Sequence, residues 1–291
     1  MRRYYSYRTE FEGDLVDVAC SVCGGDGRRQ LGVDHGFPVV QCTTPDCRFV
    51  YVSPRPTPAQ LETLYESYFS EQAESPQVWE REMRDVVEET RDLVTANRAA
   101  GVLLDIGCSY GYVLRAMEAA GWSTVGVEPS PGAASYAGEH SRGSVICGLF
   151  EDVELQDASF DAVTALYVLE HVADPRAFLA KVLRVLRPGG LAVVRVPHAR
   201  PFMPMNRLLR RPLVEAPMHL SDFSPRSMTR LAHELGFRSA EARVGRPRRA
   251  SDPVERYGAL VFGNVGIAFE RITAGRVVFP WTGAKTYLLT K

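Results

Sequence analysis

From Val102 to Pro197, short apolar runs of strand length alternate with segments whose apolar residues recur every three or four positions. The strand-like runs are VLLDI, STVGVEP, SVICG, FDAVTALYV and LAVVRVP; the helical ones are YVLRAMEAA, PGAASYAGEH and DPRAFLAKVLRVL, the last stopped by RPGG. This alternation predicts an α/β, doubly wound fold in which helices cover both faces of a parallel sheet. Ahead of it, Thr57, Pro58 and Gln60 form an N-cap, first-turn proline and capping-box partner that start a helix through AQLETLYESYF. Trp79, Met83, Val86, Val87, Leu93 and Val94 then line one stripe of a second helix, from Val78 to about Arg98. The first 55 residues follow another pattern, with short β-type runs (FPVVQC, RFVYVS), glycines and cysteines. They end in SPRPTP, whose prolines at 54, 56 and 58 exclude a continuous helix or central strand. The expected organisation is a small module over 15–56 and a main domain over 57–291, with helices over 57–98 and a substrate-side loop over 198–223.

The passage from strand to helix at DIGCSYG sets the chemistry. Gly107 and Gly111 let a ligand approach the backbone. The turn lacks the third glycine of a dinucleotide fingerprint, and it lacks the lysine that follows the second glycine of a phosphate loop. Glu128 closes the next strand, where a carboxylate suits the two hydroxyls of a ribose. Each residue also has a plainer reading: turn-forming glycines and a solvated strand end.

Four of the six cysteines form two close pairs, Cys20 with Cys23 and Cys42 with Cys47. Two such knuckles about twenty residues apart supply the four thiolates of a structural zinc site with no open position for chemistry. Pro45 can turn the longer second loop. Cys108 and Cys147 read as small packed residues with nothing nearby to activate a thiolate.

With these residues in place, the chain resembles the class I S-adenosylmethionine-dependent methyltransferases over roughly residues 100 to 240. The resemblance implies a seven-stranded, Rossmann-like, mostly parallel sheet. It implies a D-x-G-x-x-x-G turn (Asp105, Gly107, Cys108, Gly111) under the methionine part of the cofactor, Glu128 on the ribose and Leu149 beside the adenine. Ser109 and Tyr110 depart from the commoner, smaller loop. Many bacterial methyltransferases of sugars and natural products are similar in carrying an N-terminal zinc module and a helix with paired tyrosines like Tyr65 and Tyr68, which puts Tyr68 among the cofactor contacts.

For proton transfer, His171 and His198 stand at predicted strand ends, and His219 lies in APMHLSDFSP. Any one of them can equally be a structural hydrogen bonder. The Glu170–His171 pair resembles one used by zinc-bearing sugar methyltransferases, which favours His171 as base, Tyr167 as a cofactor or substrate contact and His219 as the second choice. Between His198 and Arg249 lie eleven arginines and four carboxylates. They form either a solvated basic surface or a grip for an anionic acceptor through Arg207, Arg210 or Arg211, with FMPMNRLL as a lid.

Overall charge adds one exclusion: 34 basic against 35 acidic residues give a net charge of -1 and no general affinity for polyanions. Nucleic acid is therefore not the expected partner. The longest apolar stretch, near YGALVFGNVGIAF, is too short to span a bilayer, and the start has no signal-peptide core, so a cytoplasmic protein is expected. The reading is an enzyme that methylates oxygen on a sugar, glycan or natural-product small molecule. Carbon methylation of a sugar and methylation of a ribosomal RNA base are the alternatives.

Overall fold

The computed structural model describes residues 13–72, 75–248, 253–273, 279 and 282–291. The N-terminal part is all β. A two-residue strand, β1 (Leu15–Val16), is followed by β2 (Arg28–Asp34), β3 (Phe37–Cys42) and β4 (Val50–Val52), which pair antiparallel in that order. β5 (Arg55–Pro56) returns to pair with β1. Two helices come next: α1 (Pro58–Gln72), started by Thr57 and Gln60 as expected, and α2 (Pro76–Asn97), capped by the Ser75 hydroxyl on the Val78 amide. α2 buries Met83, Val86 and Val94 of its predicted stripe.

The main sheet then runs β6 (Val102–Ile106), α3 (Tyr112–Ala119), β7 (Ser123–Glu128), α4 (Pro131–His140), β8 (Ser144–Cys147), β9 (Phe160–Leu166), α5 (Pro175–Val185) and β10 (Leu186–Pro197). The RPGG segment follows the end of α5, as expected. It is taken into β10, whose register with β9 breaks between Leu186 and Leu191. A 3-10 turn (Arg200–Phe202), α6 (Met203–Leu208), β11 (Ser221–Asp222), α7 (Pro225–Leu235), β12 (Ser239–Val244), α8 (Pro253–Ile272) and β13 (Ala284–Thr290) complete the chain. No helix among the described residues is long and apolar enough to cross a membrane.

The seven strands lie in the order β12-β13-β10-β9-β6-β7-β8. β13 is antiparallel to both of its neighbours, and the other pairs are parallel. The central strands are apolar on both faces because helices cover both; Leu103, Leu104, Val163, Val193 and Val194 are essentially inaccessible to water. From β6 the chain winds outward to β8, then crosses back to β9 on the other side of β6. The switch point therefore lies between β6 and β9, at whose carboxyl ends open α/β sheets bind their ligands.

The N-terminal sheet is not closed by its own residues. Its fourth strand is β11, in which Ser221 pairs with Tyr51 and Asp222 with Val50. Phe37, Val39, Val50 and Val52 share one apolar cluster with Met203, Leu213, Val214 and Ala216 from the loop after β10. Buried Asp34 accepts hydrogen bonds from the amides of Leu213, Val214 and Glu215 at 2.7 to 3.0 Å. The segment 198–223 is thus folded onto the cysteine-bearing sheet.

Candidate active site

At the switch point the turn after β6 places its two glycines in the left-handed region, φ +68° at Gly107 and +75° at Gly111. A Cβ on Gly107 would stand 2.5 Å from Val168 Cγ2, so the glycine is required by close contact with the turn after β9. Glu128, at the end of β7, accepts the amides of Ser109 and Ser130, both at 2.9 Å, one on each carboxylate oxygen. Burial raises its pKa, and those two amides counter the rise. Each oxygen keeps a further lone pair for a ligand hydroxyl. Asp105 is buried beneath the turn and accepts the Thr164 hydroxyl at 2.6 Å; burial pushes its carboxyl up to about 7. The Cys108 side chain turns inward against Gly126, Leu114 and Ala137, and it belongs to the packing of the turn. Leu149 is half-buried just beyond β8, where its carbonyl accepts the Asp152 and Val153 amides. Tyr68 lies in α1, and its side chain is outside the described residues.

The turn after β9 carries the proton-transfer candidates. His171 Nδ1 lies 2.8 Å from the Met218 carbonyl; a proton on Nδ1 donated there leaves Nε2 with a free lone pair. The Tyr65 hydroxyl reaches both the His171 and the Met218 carbonyls, at 2.7 and 3.1 Å, and the Leu220 amide donates to the Glu170 carbonyl at 2.7 Å. These bonds tie the 215–220 segment to the β9 turn and bring the His219 ring to 4.8 Å from that of His171. Glu170 lies 1% exposed, with Oε1 4.0 Å from His171 Nε2 and neither oxygen hydrogen-bonded among the described residues. One nitrogen or oxygen from each of Glu170, His171 and His219 lies within 4.8 Å of the others. The sequence pointed to all three; Tyr65, which clamps them, was legible only as one of a pair of tyrosines.

Burial shifts the three groups in opposite directions. It raises Glu170 to about 8, and it lowers His171 to about 3 and His219 to about 4, with His219 adding to the drop at His171. Between the usual carboxyl value of 4.5 and about 8, folded Glu170 keeps a proton that the unfolded chain has released, so its contribution to stability is lost as pH rises through that window. The histidines act in reverse. Below their ordinary 6.5 the unfolded chain binds protons that the folded chain refuses, and stability falls as pH falls. Glu170→Gln is therefore expected to raise the thermal midpoint at about pH 9 and to change it little at about pH 5. Calorimetry of both proteins at the two pH values checks this; an equal effect at both would show that Glu170 is not held protonated.

His198 and Tyr167 have other surroundings. His198 is buried with Nδ1 4.0 Å from Asp222, which also accepts the Ala199 amide at 2.6 Å. Tyr167 adopts a left-handed φ of 59°, and its hydroxyl accepts from Arg195 Nε at 2.9 Å. Arg195 also binds Glu89 and Thr286 and is fully buried. An unstrained tyrosine would avoid that φ, and such strain collects at functional turns.

A family model for a methyltransferase domain matches residues 78–242 of this sequence. The chain belongs to the class I methyltransferase family. An uncharacterized methyltransferase of Mycobacterium ulcerans is 34% identical over 167 residues, covering 56% of this chain and 57% of that protein. A ubiquinone biosynthesis O-methyltransferase of a Bradyrhizobium species is 36% identical over 110 residues, 36% of this chain and 43% of that protein. The chain thus spans about half the length of the curated relatives it matches. Among solved structures, a chain from the complex of the Haloferax volcanii Trm112 methyltransferase activator with a methyltransferase aligns at a TM-score of 0.56 and 18% identity, over 77% of this chain and 96% of its own. That likeness is one of fold.

Outside the switch point, the four N-terminal cysteines converge. Cys20 and Cys47 sulfurs are 3.6 Å apart, those of Cys23 and Cys42 3.5 Å, and all four lie within 4.8 Å of one another. A tetrahedral zinc with thiolate bonds of about 2.3 Å needs sulfur separations of about 3.8 Å, so the set fits that ion closely. All six cysteines are free thiols. Burial raises Cys20 and Cys47, while at Cys23 burial is outweighed by hydrogen bonds from Thr44 and the Gly25 amide, which lower it to about 7. A cation is what would hold all four ionised.

The arginines of 198–249 answer a question the sequence left open, and in a third way. Arg200, Arg226 and Arg230 donate to the Arg48, Asp46 and Pro45 carbonyls, and Arg226 also pairs with the Asp46 carboxylate. From α5, Arg176 donates to the Ser21 and Val22 carbonyls. These side chains fasten the cysteine loops to the main domain. Arg246 and Arg248 pair with acidic residues of α2. Arg207 donates weakly to the Leu31 carbonyl, and Arg210 and Arg211 are exposed.

Proposed function

We propose that this protein transfers a methyl group from S-adenosylmethionine to an oxygen of a small-molecule, sugar or glycan acceptor in the cytoplasm, and that its four N-terminal cysteines hold a structural zinc. The observation that carries the chemistry is the Glu170–His171–His219 cluster. It is packed on the turn whose Val168 touches Gly107, so proton-accepting groups stand beside the cofactor turn. Gly107 and Gly111 allow the backbone to approach the cofactor, Glu128 would hold its ribose and Leu149 would border the adenine. When bound, the cofactor supplies an electrophilic methyl group on a sulfonium.

The remaining work falls to the chain's own residues. Alignment of the acceptor for in-line attack supplies much of the rate. His171 Nε2 is positioned to take the hydroxyl proton as the oxygen attacks, and the Glu170 carboxylate stabilises the imidazolium that forms. The O-methyltransferase name carried by the Bradyrhizobium relative supports oxygen as the acceptor atom. A carbon acceptor would need the same base to remove a carbon-bound proton, and this is the second reading. Near-neutral net charge argues against RNA. Mass spectrometry of reactions with pools of nucleotide sugars, glycolipids and RNA, seeking the gain of one methyl group, tests the acceptor class.

Cofactor binding has its own test. Glu128→Ala removes a charge-assisted acceptor and is expected to weaken S-adenosylmethionine binding by about tenfold to a hundredfold. Unchanged affinity by calorimetry moves the ribose site elsewhere.

A further inference from the structure

The apolar stretch in α8 is used the wrong way round for a helix covering a soluble domain. Two of its glycines face inward: a Cβ on Gly263 would stand 3.1 Å from Pro247, and one on Gly266 3.0 Å from Thr282 and Val244. Several of its large side chains face outward, while Phe269 is half-buried beside Phe279. Tyr257 is 73% exposed, Val261 56%, Val265 49% and Ile272 84%, and their spacing of four, four and seven places them on one face. No charged residue occurs between Tyr257 and Phe269. The Phe202 and Phe262 rings, 6.3 Å apart, join this helix to the segment carrying α6, whose tip exposes Leu208 (82%) and Leu209 beside the exposed Arg207, Arg210 and Arg211.

We propose that this face, the outer stripe of α8 with the Leu208–Leu209 tip, docks on an anionic lipid bilayer. Apolar side chains on convex helical ridges enter the acyl boundary, and the arginines beside them reach the headgroups, as in interfacial amphipathic helices. Charge decides the occupant. The tip carries three arginines within five residues, which complement anionic lipid. A two-fold pairing of this face with a second copy would set those arginines against themselves. The docking goes beyond the methyl-transfer reading and stands on surface residues outside the cofactor turn and the histidine cluster.

The test is co-sedimentation of the full chain with vesicles of phosphatidylcholine, with and without phosphatidylglycerol. Binding to the anionic vesicles that weakens with salt, and little binding to phosphatidylcholine alone, is the expected result. Leu208→Asp with Val261→Asp should abolish it. Arg210→Gln with Arg211→Gln, confined to exposed side chains, should weaken it by about tenfold; this pair keeps the test sharp if the first variant misfolds. Absence of binding to anionic vesicles overturns the proposal, as does binding that the arginine pair leaves unchanged. Light scattering that shows a dimer through this face, with no vesicle binding, overturns it in favour of a second copy.

Discussion

His171→Ala is expected to lower turnover by about a hundredfold or more while S-adenosylmethionine affinity stays near the wild-type value. The size is that of a lost general base, about 2.7 kcal/mol of barrier. The direction with pH is a second signature. His171, lowered to about 3, is a weak base by itself, and it gains strength only from the negative charge of Glu170, whose own carboxyl is raised to about 8. The competent form, with neutral imidazole and ionised carboxylate, therefore fills as pH rises toward about 8. kcat/KM for the wild type is expected to climb across neutral pH to a plateau above that value, and the climb should vanish in His171→Ala. His219→Ala should lose less, mainly through acceptor binding, because its ring borders His171 and serves as the second choice of base. Rate profiles of both variants with the true acceptor decide the matter. A dead His219→Ala beside an active His171→Ala would assign the base to the other ring, and two active variants would leave positioning as the whole of catalysis.

Removing the metal has the other large effect. One zinc per chain is expected, bound by Cys20, Cys23, Cys42 and Cys47, and Cys42→Ser with Cys47→Ser should abolish it. Structural zinc contributes about 10–16 kcal/mol of binding free energy to folding, as much as the whole net stability of an ordinary domain. The sheet it supports is too small to stand without it. The consequence reaches the site through the fold: Ser221–Asp222 pairs with Val50–Tyr51, and the Val52 amide donates to the Leu220 carbonyl one residue beyond His219. Metal loss should thus raise hydrogen exchange in β2–β4 and in 215–223 together, and turnover should fall although no cysteine touches the histidine cluster. Metal analysis finding no zinc in the native protein, or exchange confined to the N-terminal sheet, would sink this coupling.

The doubly wound core was legible because its strands are covered on both faces. A continuous apolar run such as VLLDI, next to helices with one apolar stripe, has few other ways to be buried. The glycine turn was legible for a related reason. Gly107, Gly111 and Glu128 lie at fixed offsets from strand ends, so local sequence and local geometry coincide. The cysteine knuckles, too, were legible by spacing as one four-residue cluster.

What the sequence could not state was every contact made across long separations. Nothing in MHLSDFSP says that Ser221 and Asp222 complete a sheet begun at Arg28, or that Asp34 binds the amides of Leu213, Val214 and Glu215. The arginines of 198–249 looked like an anion grip or a solvated face, and several of them clasp carbonyls around the cysteines, because a guanidinium's partner is chosen by the packed chain and carries no mark in its neighbours. The sequence by itself determined the sheet, the glycine turn and the four-cysteine cluster, since these depend on periodicity and short spacing. Only the tertiary structure decided that half-buried His171 and His219 meet buried Glu170 at one point, because burial and convergence are properties of distant segments packed together, and these are what move the three pKa values apart.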